Sequence, residues 1–152
     1  MTLTQKETSL LNDLKAQEQL CIKKYGKYMN EANDPQLKEL FSRLKTTEEG
    51  HLGTITKMLD GEEVAMPDAS PSAVDCKLTC TPSTVGEAEK QNDGYLCKDA
   101  LSMEKHVSGV YDISVFEFSS PVLRNTLSHI QKEEQNHGEM LYNYLSSNNM
   151  YN

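Results

Sequence analysis

The stretch Phe41-Ser-Arg-Leu44-Lys-Thr-Thr-Glu48-Glu-Gly-His51-Leu-Gly-Thr-Ile55 decides the fold. Its apolar residues step by three and four, the spacing of one helix face. Glu48 and His51 fall in the middle of that same face. The stretch Leu127-Ser-His-Ile130-Gln-Lys-Glu-Glu134-Gln-Asn-His137-Gly-Glu-Met-Leu141 lies 86 positions later and repeats the skeleton, with Glu134 and His137 in the places of Glu48 and His51.

The repeat extends outward from this core. Glu18 stands 30 positions before Glu48, and Glu104 stands 30 before Glu134. The same 86-residue shift aligns Tyr25 with Tyr111, Glu31 with Glu117, Pro35 with Pro121, Leu37 with Leu123 and Leu59 with Leu145, without a gap. The stripes run through the charged positions: Leu11, Leu14, Glu18, Cys21, Tyr25 in the first helix and Ala100, Glu104, Val107, Tyr111 in the third. A charged side chain on a helix is ordinarily solvated. Six polar residues on apolar stripes point instead to a buried site, where isolated charge is costly.

The chain reads as a single domain, 1–152, of all-α class: two helical hairpins joined by a long crossover linker into a four-helix bundle. Helix A is expected over about 4–32, opened by the capping box Thr4-x-x-Glu7. Asn33-Asp34-Pro35 ends it and starts helix B, about 35–60, with Asp34 as cap and Pro35 in the first turn. Gly61 is the expected stop. Residues 61–91 hold Pro67, Pro71, Pro82 and Gly86 and read as linker. Helix C is expected over about 93–118, starting near Asn92-Asp93. Ser120-Pro121 then opens helix D, about 121–147.

Composition limits the function. A net charge of −8 offers no basic patch, so nucleic acid is not an expected partner. No apolar run approaches the ~20 residues of a membrane span, and no signal peptide is expected at the N-terminus. Four cysteines, Cys21, Cys76, Cys80 and Cys97, are expected as reduced thiols after synthesis in the cytoplasm. Cys76 and Cys80 form one pair without the second that a zinc quartet needs.

Helix geometry brings the six residues to one height. Glu18 lies 16 positions before Asp34 and Glu48 14 after it. At ~1.5 Å per residue both stand roughly 21–24 Å from the same bend. Glu104 and Glu134 keep the same offsets from Ser120. A Glu from each of two helices plus Glu-x-x-His from each of the other two resembles the ferritin-like dimetal proteins. The resemblance covers everything but the linker and the ends. It implies two divalent ions, with Glu48 and Glu134 bridging, Glu18 and Glu104 terminal, and His51 and His137 on one ion each. Oxygen-rich donors with one imidazole per ion suit iron or manganese. The competing reading is a metal-free bundle with some carboxylates protonated.

Neighbouring residues receive plainer readings. Tyr25 and Tyr111 read first as core aromatics and second as partners of the site. His106 and His129 read as surface residues, and Glu49 and Glu133 as solvated charges. Glu31 and Glu117 lie too near the hairpin tips to be ligands.

Several stretches resemble the coat F family of spore coat proteins, clostridial type. They are Gln17-Glu-Gln-Leu-Cys-Ile-Lys-Lys-Tyr25, Asn33-Asp-Pro-Gln-Leu-Lys-Glu-Leu40, Glu49-Gly-His-Leu52, Glu104-Lys-His106, Val115-Phe-Glu-Phe118 and His129-Ile-Gln-Lys-Glu-Glu-Gln-Asn-His137. Asn143-Tyr-Leu and Met150-Tyr-Asn152 fit as well. The resemblance implies a location in the endospore coat, other coat proteins as partners, and a structural or metal-binding role; association between copies is a further expectation. The alternative is a dimetal oxidoreductase acting on peroxide or oxygen, as in rubrerythrin-like or manganese-catalase-like bundles. An iron-storage shell is not expected, because no fifth helix follows residue 147.

Overall fold

The computed structural model describes residues 2–65 and 79–151. Among these residues four helices make an all-α bundle: α1 (Gln5–Glu31), α2 (Pro35–Leu59), α3 (Glu87–Glu117) and α4 (Pro121–Ser147). Among the described residues there is no strand, and no helix is long and apolar enough to cross a membrane.

Local chemistry sets the ends. Thr4 Oγ1 accepts from Glu7 N at 3.2 Å, and Glu7 Oε2 accepts from Thr4 N at 2.8 Å, closing the capping box. Asp34 Oδ1 caps α2 through Gln36 N at 2.9 Å, with Pro35 in the first turn. Ser120 and Pro121 do the same for α4. Gly61 leaves α2 with φ of 71°, the left-handed geometry that favours glycine.

α1 packs along α2, and α3 along α4. The hairpins join through α1 against α3 and α2 against α4. Cross-contacts fix the directions. Asn33 meets Asp93, Lys24 Nζ lies 2.9 Å from Asp99, and Lys6 Nζ lies 2.7 Å from Glu117, so α1 and α3 are antiparallel. α2 therefore ends beside the start of α4, whereas α3 starts beside the α1–α2 turn, at the other end of the bundle. Of the linker expected over 61–91, residues 66–78, with Pro67, Pro71 and Cys76, lie outside the described residues. Leu11, Leu14, Phe41, Leu44, Val107, Leu127 and Leu141, read from the stripes, are all fully buried.

One boundary differs from expectation. α3 begins at Glu87, not near Asn92-Asp93. Gly86 precedes the first turn, its N–H donating to Glu89 Oε2 at 2.7 Å, and Glu87 and Glu89 favour the positive end of the helix. Asp93 is not a cap but a fully buried acceptor. Its Oδ1 takes the N–H of Asn33 and its Oδ2 that of Asp34, each at 2.8 Å.

Glu7 occupies the corresponding place in the first half, 86 positions earlier. Its Oε1 accepts from Ser119 N at 3.0 Å and Ser119 Oγ at 3.1 Å. Each hairpin thus holds the bend of the other. The N–H groups of Ser119 and Thr4 hold the Glu7 carboxyl down to about 2, against an ordinary 4.5. A depressed acid stabilises the fold above its unfolded pKa and loses that contribution as pH falls through the folded value. Glu7→Gln should therefore be less stable than the native chain above about pH 4.5, with the gap closing toward pH 2. Asp93→Ala leaves two buried N–H donors unpaired and should cost about 3 kcal/mol in urea unfolding at neutral pH. A loss no larger than that of a surface Asp112→Ala control would refute the reciprocal clamp.

Candidate metal centre

Each helix delivers its polar residues to one layer. α1 brings Glu18, α2 Glu48 and His51, α3 Glu104, and α4 Glu134 and His137. None of the six is more than 3% exposed. Their donor atoms form two sets, each with all atoms within 4.8 Å of one another: Glu18, Glu48, His51, Glu134 and Glu48, Glu104, Glu134, His137. Glu48 and Glu134 belong to both. These buried clusters could hold metal ions.

Both imidazoles aim Nδ1 inward. His51 Nδ1 lies 2.9 Å from Glu48 Oε2 and 3.2 Å from Glu134 Oε1. His137 Nδ1 lies 3.3 Å from Glu48 Oε1, 3.2 Å from Glu134 Oε2 and 3.5 Å from Glu104 Oε1. The rings stack with centroids 5.8 Å apart. Glu18 Oε2, Glu48 Oε1, Glu104 Oε2, both Glu134 oxygens and His137 Nδ1 are buried without a hydrogen-bond partner. Orphaned polar atoms are rare in protein interiors. Their convergence from four helices fits a cation better than a packed core.

The same groups can share protons when no cation is bound. Burial, with the charges of Glu134 and Glu48, pushes Glu18 up to about 10. Burial raises Glu104 well above the carboxylate range. Burial opposes ionisation of Glu48 and Glu134 too, but the His137 and His51 imidazoles beside them hold both below the usual value. The imidazoles are driven down by burial, yet the carboxylates around them hold both well above the ordinary histidine value. The directions share out the charge: Glu18 and Glu104 favour the neutral acid, while Glu48 and Glu134 favour the carboxylate beside the two imidazoles. The metal-free alternative is the proton-filled form of the same site.

Tyr25 and Tyr111 are more than core aromatics. Tyr25 Oη donates to Glu104 Oε1, and Tyr111 Oη donates to Glu18 Oε1. Each hairpin's tyrosine thus holds a buried glutamate of the other hairpin. The 86-residue repeat held this signal, since both pairs share a seven-residue offset; the crossing between hairpins is a tertiary fact.

Glu133 is not a solvated charge. It is half-buried, with Oε2 2.8 Å from His51 Nε2 and Oε1 3.6 Å from His129 Nε2. The His51 contact holds its carboxyl below the ordinary range. His129, expected at the surface, is half-buried beside it. Glu49 pairs with Lys45 at 3.4 Å on the exposed face, and His106 is exposed, as expected. Cys21 is buried one turn from Glu18, with its thiol pushed up by burial and by the surrounding carboxylates.

Two openings reach the layer. A mostly apolar groove of about 550 Å³ between α3 and α4, walled by Leu101, Gly138, Tyr142 and Tyr151, ends at Glu104 and Glu134. A smaller groove of about 350 Å³ between α2 and α4, lined by threonines, ends at His51 and Glu133.

Residues 92–152 match the family model of the Coat F domain. The match runs from the second turn of α3 through α4 and contains Glu104, Glu134 and His137. Glu18, Glu48 and His51 lie outside it, in the half that the internal repeat relates to the matched one. Searches among curated proteins and among solved structures returned no match.

Tyr25→Phe and Tyr111→Phe each remove the donor to a buried glutamate oxygen. Each should lower stability by about 1–3 kcal/mol in urea unfolding, while Tyr95→Phe on the exposed surface of α3 should not. Equal effects at the three sites would separate the tyrosine hydroxyls from the site.

Proposed function

We propose that this chain is a spore-coat-associated, ferritin-like bundle that holds two divalent ions in its core, with a structural or metal-binding role in the endospore. The Coat F match supports the location. The convergence of orphaned carboxylate oxygens and an imidazole nitrogen carries the metal reading. Glu18 and His51 would serve one ion and Glu104 and His137 the other, with Glu48 and Glu134 shared. Four carboxylates balance two dications, so a loaded layer is neutral, and the donor set suits iron or manganese. Such a pair supplies Lewis acidity and, if redox-active, electron transfer. The chain's own part is to fix six donors, exclude water and hold the terminal glutamates through Tyr25 and Tyr111.

A second reading is a dimetal oxidoreductase for peroxide or oxygen. The groove between α3 and α4 favours it, because its lining includes Glu104 and Glu134 and so brings a small-molecule-sized space up to the layer. A metal that only stabilises the fold has no need of that opening.

Metal analysis of the purified chain should find close to two iron or manganese ions, and Glu48→Ala or Glu134→Ala should abolish binding. Loading displaces the protons on Glu18, Glu104, His51 and His137. An unbuffered titration near pH 7 should then release about four protons per chain. Loading without proton release would show that the metal-free layer is not held by protons on these groups. Loaded protein that never consumes peroxide or oxygen would leave the structural reading standing and remove the enzymatic one.

A further inference from the structure

Glu133 breaks the symmetry of the repeat at the point where it bears most directly on the metal. We infer that the two ion positions are unequal, and that the one served by Glu18 and His51 binds first and more tightly because Glu133 fixes His51. The inference rests on the dimetal reading.

His51 Nε2 faces Glu133 Oε2 at 2.8 Å, while its Nδ1 faces the inner carboxylates. Glu133 Oε1 lies 3.6 Å from His129 Nε2. A proton on Nε2, donated to Glu133, leaves the lone pair on Nδ1 directed inward. It also makes that nitrogen a stronger donor and stops the ring from turning. The residue 86 positions before Glu133 is Thr47, which carries no charge. Its hydroxyl donates to the Arg43 carbonyl of its own helix at 3.4 Å. Among the described residues, the carboxylates near His137 all face Nδ1, and none lies against Nε2. The partner of His129 in the repeat is Arg43, which pairs with Glu39 at 3.0 Å, away from the layer. One imidazole is buttressed by a carboxylate and the other is not. Outer partners of a ligating histidine typically change affinity about 10–100-fold. Glu133 is therefore a positioning residue, acting through His51.

The test is an anaerobic titration of metal-stripped full-length chain with Co(II). Visible absorption reports each step, and metal analysis gives the total. The native chain should fill in two steps whose affinities differ by about 10–100-fold. Glu133→Thr copies the other half and should merge the steps by weakening the first, with two ions still bound at saturation. Glu133→Gln, which keeps size and hydrogen bonding, should narrow the gap by less. Thr47→Glu should tighten the second step. A single step in the native chain, or two steps unmoved by Glu133→Thr, overturns the inference while leaving the dimetal reading intact. No Co(II) binding by the native chain overturns the dimetal reading itself, and this inference with it.

Discussion

Charge balance in one dry layer governs this bundle. Two unit charges 4 Å apart interact by about 4 kcal/mol even in a moderately polarisable interior. Four carboxylates within reach of each other therefore cannot stand ionised together without compensation. The fold admits two fillings that leave the layer neutral. Protons on Glu18, Glu104, His51 and His137 are one, and two dications are the other. On the dimetal reading, a bundle that balances its charge with protons could assemble first and exchange them for ions afterwards. Above and below the layer the core is apolar, with Leu14, Phe41, Val107 and Leu127 fully buried.

The two halves meet as near copies. Glu7 and Asp93 clasp opposite bends, and Tyr25 and Tyr111 hold opposite glutamates. Paired geometry of this kind holds the two halves of the layer by matching contacts. Departures from it are then informative, because nothing in the packing demands them. Glu133 opposite Thr47 and His129 opposite Arg43 fall on one side of the layer only. The grooves differ as well: one is apolar and ends at Glu104, the other is threonine-lined and ends at His51.

Helix faces were legible in the sequence because burial follows the period of three and four. All six inward polar residues stood on those stripes, and their heights followed from the rise per residue. The start of α3 was not legible. Glu87-Ala-Glu-Lys-Gln-Asn92 has no apolar stripe of its own, and Asn92-Asp93 imitates a cap. Only the bend of the other hairpin explains why an aspartate is buried there. Glu133 escaped for a similar reason. It sits one residue off the buried stripe, and a carboxylate there is solvated unless a neighbouring helix presents an imidazole to it.

The clasps have a consequence for how small a piece of this chain can stand alone. Neither hairpin can close its own bend: the α1–α2 turn needs an aspartate from α3, and the α3–α4 turn needs a glutamate from α1. In a lone hairpin those turn N–H groups would fall to water, and a twin hairpin beside it could supply the missing carboxylate. The fused chain makes such twinning internal, and so frees each copy to acquire a residue, as with Glu133, that a symmetric pair would have to carry twice.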